Sequence, residues 1–180
     1  QKKPAVFAFA GDTYQGLEAN SLDPDEMAWA QNHLRILSGL YGILRPLDEI
    51  EPYRLEMGTK LANDNGEDLY DFWQGKLTAH IQNVLKDHKN PYIINLASNE
   101  YIKALDAKAF GDKFITCHFK ENKNGQLKTI GLMAKRARGT MARYIIQNRI
   151  DTPEALKNFT EDGYTYQADL SDTQNFVFVR

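Results

Sequence analysis

Residues 131–150 carry five cations, Lys135, Arg136, Arg138, Arg143 and Arg149, and no acid. Four of the five are arginines, whose planar fork matches two oxygens of one phosphate better than the point charge of a lysine does. On a helix, Met133, Ala137, Met141, Tyr144 and Ile145 fall on one arc and the cations occupy the rest. Such a helix can bury one side and offer the other to a polyanion. Gly139 sits on the polar arc, where it would let a backbone approach closely. A structural reading stands beside this one. The stretch 151–180 holds six acids against Lys157 and Arg180, and its carboxylates could neutralise the same guanidiniums. Solvated helix faces, however, normally mix both signs.

A second set of residues could line a cleft for a small anion: Asp12, Tyr14, Arg54, Glu56, Asn95, Ser98 and Lys103. Arg54 and Glu56 lie on one side of an extended segment and could equally form a buried ion pair. A strand running into a helix at Ser98 exposes backbone N–H groups able to seat an anion, with Lys103 one turn on; simple capping by Ser98 is the alternative. Gly39 and Gly42, three apart in an apolar run, require close backbone approach or positive φ, but they form neither a phosphate loop nor a dinucleotide fingerprint. No catalytic set is identified. Cys117 and His118 are adjacent on an expected strand and point to opposite faces, so they do not make a nucleophile–base pair. The four histidines have no metal-ligand spacing, and neither a metal nor a cofactor is implied.

The elements that would hold these residues follow from pattern. Residues 5–10 read as a strand or buried segment that ends at Gly11-Asp12. Asp23-Pro24-Asp25-Glu26 starts a helix. Residues 67–88, with Leu69, Phe72, Trp73, Leu77, Ile81, Val84 and Leu85 at helical spacing, form the longest one. Residues 92–96 are a short strand, and Asn124-Gly125 turns a hairpin between 113–120 and 126–132. Residues 133–148 are the basic helix, followed by a helical turn at 153–159 and short strands at 164–167 and 176–179. The expected class is α/β with α+β character, a mixed sheet flanked by helices in one compact domain spanning 1–180. The apolar runs are too short for a membrane span. One cysteine excludes an internal disulfide and fits a reducing cytosol. The net charge is −2, so the five clustered cations leave −7 elsewhere, and it is this segregation that bears on a charged partner. The chain opens without Met on a buried-looking run, which reads as lacking an N-terminal segment.

Several motifs carry a resemblance. Gly11-Asp12-Thr13-Tyr14-Gln15-Gly16-Leu17, the long run from Leu34 to Asp48 with Pro52-Tyr53-Arg54-Leu55-Glu56-Met57-Gly58, and Leu69-Tyr70-Asp71-Phe72-Trp73 are three of them. Asn95-Leu96-Ala97-Ser98-Asn99-Glu100-Tyr101, the basic run from Ala134 to Arg143, and the closing Gly163-Tyr164 and Phe176-Val177-Phe178 complete the set. In this order they resemble the YaaA peroxide-stress family across the whole chain. Members of that family begin with a Ser-Pro-Ala-Lys-Thr segment and a helical stretch absent here, and a helix-hairpin-helix-like element linked to DNA binding belongs to that segment. The resemblance implies a cytoplasmic protein that protects against hydrogen peroxide, limits iron-linked damage and binds DNA. It transfers no catalytic residue; Lys135, Arg136, Arg138 and Arg143 match its basic helix.

The expectation is therefore a protein that grips double-stranded DNA by its phosphates, largely independently of sequence, with no membrane and no obligate protein partner. About four neutralised phosphates would give a log K against log salt slope near −3 to −4. The alternative is an enzyme acting on a small phosphorylated or nucleotide-like substrate in the cleft, with the basic helix as anion clamp.

Overall fold

The computed structural model describes residues 1–180. Lys3–Pro4 (β1) pairs antiparallel with Glu49–Ile50 (β4). Residues 5–10 are not a strand: Ala5–Ala8 is a single helical turn (α1). Ala5 and Val6 are buried while Phe7 is exposed, and the Ala5 and Val6 N–H groups donate to Asp48 O and Pro46 O. A short continuous apolar run cannot by itself separate a buried strand from a buried turn, and the neighbouring chain decided. Asp12–Leu17 (α2) follows, so Asp12 and Tyr14 stand on a helix. Pro24–His33 (α3) starts with a full capping box: Asp23 accepts from Glu26 N at 2.7 Å, and Glu26 accepts from Asp23 N at 2.9 Å.

Ile36–Ser38 (β2) and Gly42–Leu44 (β3) form an antiparallel hairpin. Its two glycines have different reasons. Gly42 has φ +81°, and a Cβ on Gly39 would stand 2.2 Å from Leu55 O. Leu69–Leu85 (α4), capped by Asp68, buries Leu69, Leu77 and Ile81 against Met57, Leu105, Phe110 and Phe114.

The main sheet has the order β5-β6-β9-β8, with β5 at Ile93–Asn95, β6 at Phe114–Lys123, β9 at Asn175–Val179 and β8 at Thr165–Tyr166. The pairs β5–β6 and β6–β9 are parallel and β8–β9 is antiparallel, so the sheet is mixed. Asn99–Ile102 (α5) leaves β5 through Ser98. Gln126–Lys128 (β7) folds back on the end of β6 across Asn124-Gly125, both at positive φ.

Gly131–Gln147 (α6) covers one face of this sheet. Its Ala137 and Met141 pack with Ile115, Phe119 and Phe178 of the strands, and with Phe159 and Tyr164. Its Ala142 and Ile146 belong to a second core with Val6, Leu17, Ile36 and Leu44. The fold is α/β, a mixed sheet flanked by helices. No helix is long and apolar enough to cross a membrane.

Candidate functional site: a groove beside the basic helix

α2 and α6 cross with their backbones nearly touching. A Cβ on Gly139 would lie 1.8 Å from Thr13 O, and one on Gly16 would lie 2.2 Å from Arg136 O. The close backbone approach expected at Gly139 is therefore satisfied by the protein's own α2, and Gly139 is buried. A groove of about 1690 Å³ opens beside this crossing.

The structure divides the five cations of the basic stretch. Lys135 and Arg138 line the groove. Arg136 turns into a separate recess of about 280 Å³ with Gln15 and Asp162. Arg143 is spent within the fold. Its guanidinium donates to Leu17 O at 3.3 Å, to Glu18 O at 3.1 Å and to Ser21 Oγ, so it satisfies carbonyls at the end of α2. Arg149, at φ +49°, folds back to donate to Ile146 O at 3.0 Å at the end of α6. The cations therefore do not share one face. None of the five is paired with a carboxylate, and the three ion pairs in the protein lie elsewhere. Glu121, on β6, accepts from Arg180 Nε at 2.7 Å and from the Tyr164 hydroxyl at 2.6 Å. Arg138 is half-buried, and desolvation lowers its pKa with no partner to offset it.

Of the cleft candidates, Asp12, Tyr14, Arg54, Glu56, Asn95 and Ser98 line the same groove as Lys135 and Arg138. Lys103 does not; it ends α5, and its carbonyl accepts from Gln74 Nε2 at 3.1 Å. Asn95 is buried and committed to the fold, donating to Thr116 Oγ1 at 3.2 Å and accepting from Ala97 N at 3.0 Å. Ser98 acts as a helix cap, accepting from Tyr101 N at 3.4 Å. Arg54 and Glu56 are not a buried ion pair. They stand 4.0 Å apart with side chains 92% and 60% exposed, a geometry worth little in water.

Three tyrosines complete this end of the groove. Tyr53 and Ser38 share a hydrogen bond of 2.6 Å, and the Tyr101 hydroxyl donates to Glu56 Oε2 at 3.0 Å. Tyr14 stacks on Phe9 with ring centroids 5.3 Å apart, and its hydroxyl has no partner in the protein. Burial pushes the Tyr14 phenol well above its ordinary pKa, and the nearby Tyr53 and Tyr101 push it further the same way. Desolvation and then the bond to Glu56 raise Tyr101 likewise. All three phenols are therefore neutral hydrogen-bonding groups at physiological pH, not bases. Tyr53 and Tyr101 escaped the sequence reading as site residues because they reach this spot from distant segments, and no spacing rule joins positions 14, 53 and 101. Arg35 also lines the groove, with its Nε buried and without a partner.

At the other end, His33 stacks on Trp29 at 3.6 Å and meets His88 edge-on at 5.0 Å. Burial lowers the His33 pKa, its largest influence, while the hydrogen bond to Trp29 O opposes it. No three His, Cys, Asp or Glu side chains gather as metal ligands would.

Comparison with known proteins places these motifs. The family described as "Peroxide stress protein YaaA" matches residues 1–170. A UPF0246 protein of Caulobacter vibrioides (strain NA1000 / CB15N) is 54% identical over 176 residues, covering 98% of this chain and 69% of the relative. A UPF0246 protein of Legionella pneumophila (strain Lens) is 52% identical over 177 residues with the same coverage, 98% and 69%. One of Alteromonas mediterranea is 53% identical over 178 residues, 99% of this chain and 69% of its own length. With the family matching residues 1–170 and relatives more than half identical over nearly the whole sequence, the chain belongs to the YaaA peroxide stress protein family.

Proposed function

We propose that this protein serves peroxide-stress defence in the cytoplasm by binding DNA through its phosphate backbone, in the groove beside α6. The observation that supports this most is that Lys135 and Arg138 line one groove and neither forms an ion pair, although Asp12, Glu56, Asp87, Glu100 and Asp151 line it too. Arg54, 4.0 Å from Glu56, and Arg35, Arg45 and Lys89 line the same groove. No element presents an array of side chains for reading base edges, so binding would be largely independent of sequence. In this reading, protection against iron-linked damage is indirect and follows from occupying DNA.

The test is fluorescence anisotropy of a labelled duplex titrated with the full chain over a series of salt concentrations. Two or three neutralised phosphates give a log K against log salt slope of about −2 to −3, shallower than five free cations would give. Replacing Lys135 and Arg138 together by Ala should reduce that slope by about 2. Arg143→Ala should leave the slope unchanged, because its donors already serve carbonyls of the fold. A slope near zero, or unchanged affinity in the double variant, refutes the proposal.

A further inference from the structure

The apolar part of the groove has the make-up of a core that has not been filled. We infer that it seats a β-strand, which pairs with the free edge of β5 and is supplied by the segment that the family's members carry outside the span matched here.

Three observations lead here. First, a domain normally has one contiguous hydrophobic core with smaller satellites. This one has three of similar size, and half-buried rim residues of all three face the same groove: Trp29 and Leu34 of the first, Ile94 and Ile145 of the second, Leu85 and Ile93 of the third. At about 1690 Å³ the groove exceeds the roughly 300–1,000 Å³ of a small-molecule pocket, and polypeptide is the occupant that would join three cores into one. Second, β5 ends the sheet, and its outer edge has no partner strand. Parallel strands are usually covered on both faces, and exposed edges are usually blunted by charge or proline. Residues 92–96 carry neither, and all of them line the groove. Ile93 and Ile94 point to opposite faces of the sheet and both are half-buried, so a strand laid beside them meets apolar surface on each side. Third, Arg35 Nε is the buried side-chain donor left without a partner, and Arg35 lines the groove. Its Nη1 is already taken, by Gln31 O at 3.0 Å and Leu34 O at 2.8 Å. A backbone carbonyl of the incoming strand supplies the acceptor that Nε lacks. The length available fits, because nearly a third of each relative lies outside the match. That is enough for several elements at roughly 6 residues per strand and 12 per helix. Along α6, Ile145 stands about 10–15 Å from Arg138 and Lys135, so the strand and DNA phosphates use different stretches of that helix. The inference does not rest on the DNA reading.

The test adds the unmatched segment of the Caulobacter vibrioides relative, prepared as a separate chain, to residues 1–180 and follows amide hydrogen exchange. Binding should slow the outward-facing amides of residues 92–96 by at least about 10-fold. It should also abolish the fluorescence of ANS, which an open apolar groove takes up. Arg35→Lys keeps a cation for Gln31 O and Leu34 O but removes Nε; it should weaken the segment about 10-fold without moving the melting temperature of the chain alone. Lys128→Ala, on β7, should change neither. Absence of saturable binding at about 100 μM, or binding that leaves exchange in β5 unchanged, overturns the inference. Wild-type affinity in Arg35→Lys overturns the placement of the strand beside that side chain. If residues 92–96 are already protected in the chain alone and sedimentation gives a dimer, a second copy occupies the groove and the inference fails.

Discussion

Gly139→Ala is the sharpest test of how the groove is built. A methyl group there would lie 1.8 Å from Thr13 O and 2.8 Å from both Leu17 N and Thr13 C. These are backbone atoms, so no side chain can swing aside, and the helices must part by about an ångström or more to restore ordinary contact. Overpacking of this kind costs about 1–3 kcal/mol, and more when backbone must move. Alanine returns roughly 1 kcal/mol in helix propensity. With backbone displacement taking the cost to the top of that range, the net expected loss is about 2 kcal/mol, which urea denaturation should record as a lower midpoint at unchanged slope. In a domain of this size the melting temperature should drop by about 4–8 °C. Gly16→Ala probes the reverse side of the same contact, where Arg136 O stands 2.2 Å from the added carbon. Once one substitution has parted the helices, the second has less to displace, so the double variant should lose clearly less than the two single losses added. A Gly139→Ala protein within about 0.5 kcal/mol of wild type would refute the claim that the two backbones meet there.

Two further outcomes follow from buried groups. Cys117 is 3% exposed, and desolvation pushes its thiol up to about 12, so the native protein should hold no thiolate at pH 8. Iodoacetamide should modify it only after denaturant is added, and prompt alkylation or peroxide oxidation of the native chain would contradict this placement. For Glu121, desolvation raises the carboxyl pKa, but hydrogen bonds from Tyr164 and Arg180 together overcome it and leave the value below 4.5. A lowered folded pKa means the stabilisation is complete above the unfolded value and disappears as pH falls through the folded one. Acid titration of stability should therefore show a loss below about pH 4.5 that Glu121→Gln flattens, and an unchanged acid limb in that variant would exclude Glu121 as its source.

Much of the scaffold was readable because local rules decided it. Asp23-Pro24-Asp25-Glu26 announced α3 with its capping box, Asn124-Gly125 fixed the β6–β7 turn, and α6 began and ended within two residues of its expected limits. What local rules could not reach was any contact between distant segments. Arg143 sits on the same charge run as Arg138, yet it meets carbonyls more than a hundred residues away, and nothing in the spacing separates the two. Gly139 permits a close backbone approach as expected, but it is buried against α2 rather than open on a polar arc, and no local rule names a partner so far away in the chain. Arg54 and Glu56 share a side as an extended segment requires, but burial is decided by what packs over them, and nothing does. The phenols at 14, 53 and 101 converge only through the fold.

α6 belongs to two hydrophobic cores at once, Ala137 and Met141 on one side and Ala142 and Ile146 on the other. The backbone of such a helix is already ordered when a ligand arrives, so binding costs only the rotamer freedom of the side chain itself. The arrangement also works in reverse. An occupant holding Arg138 resists any opening that separates α6 from either core, so saturation should slow amide exchange not only in α2, which lines the groove, but also in β6, which does not.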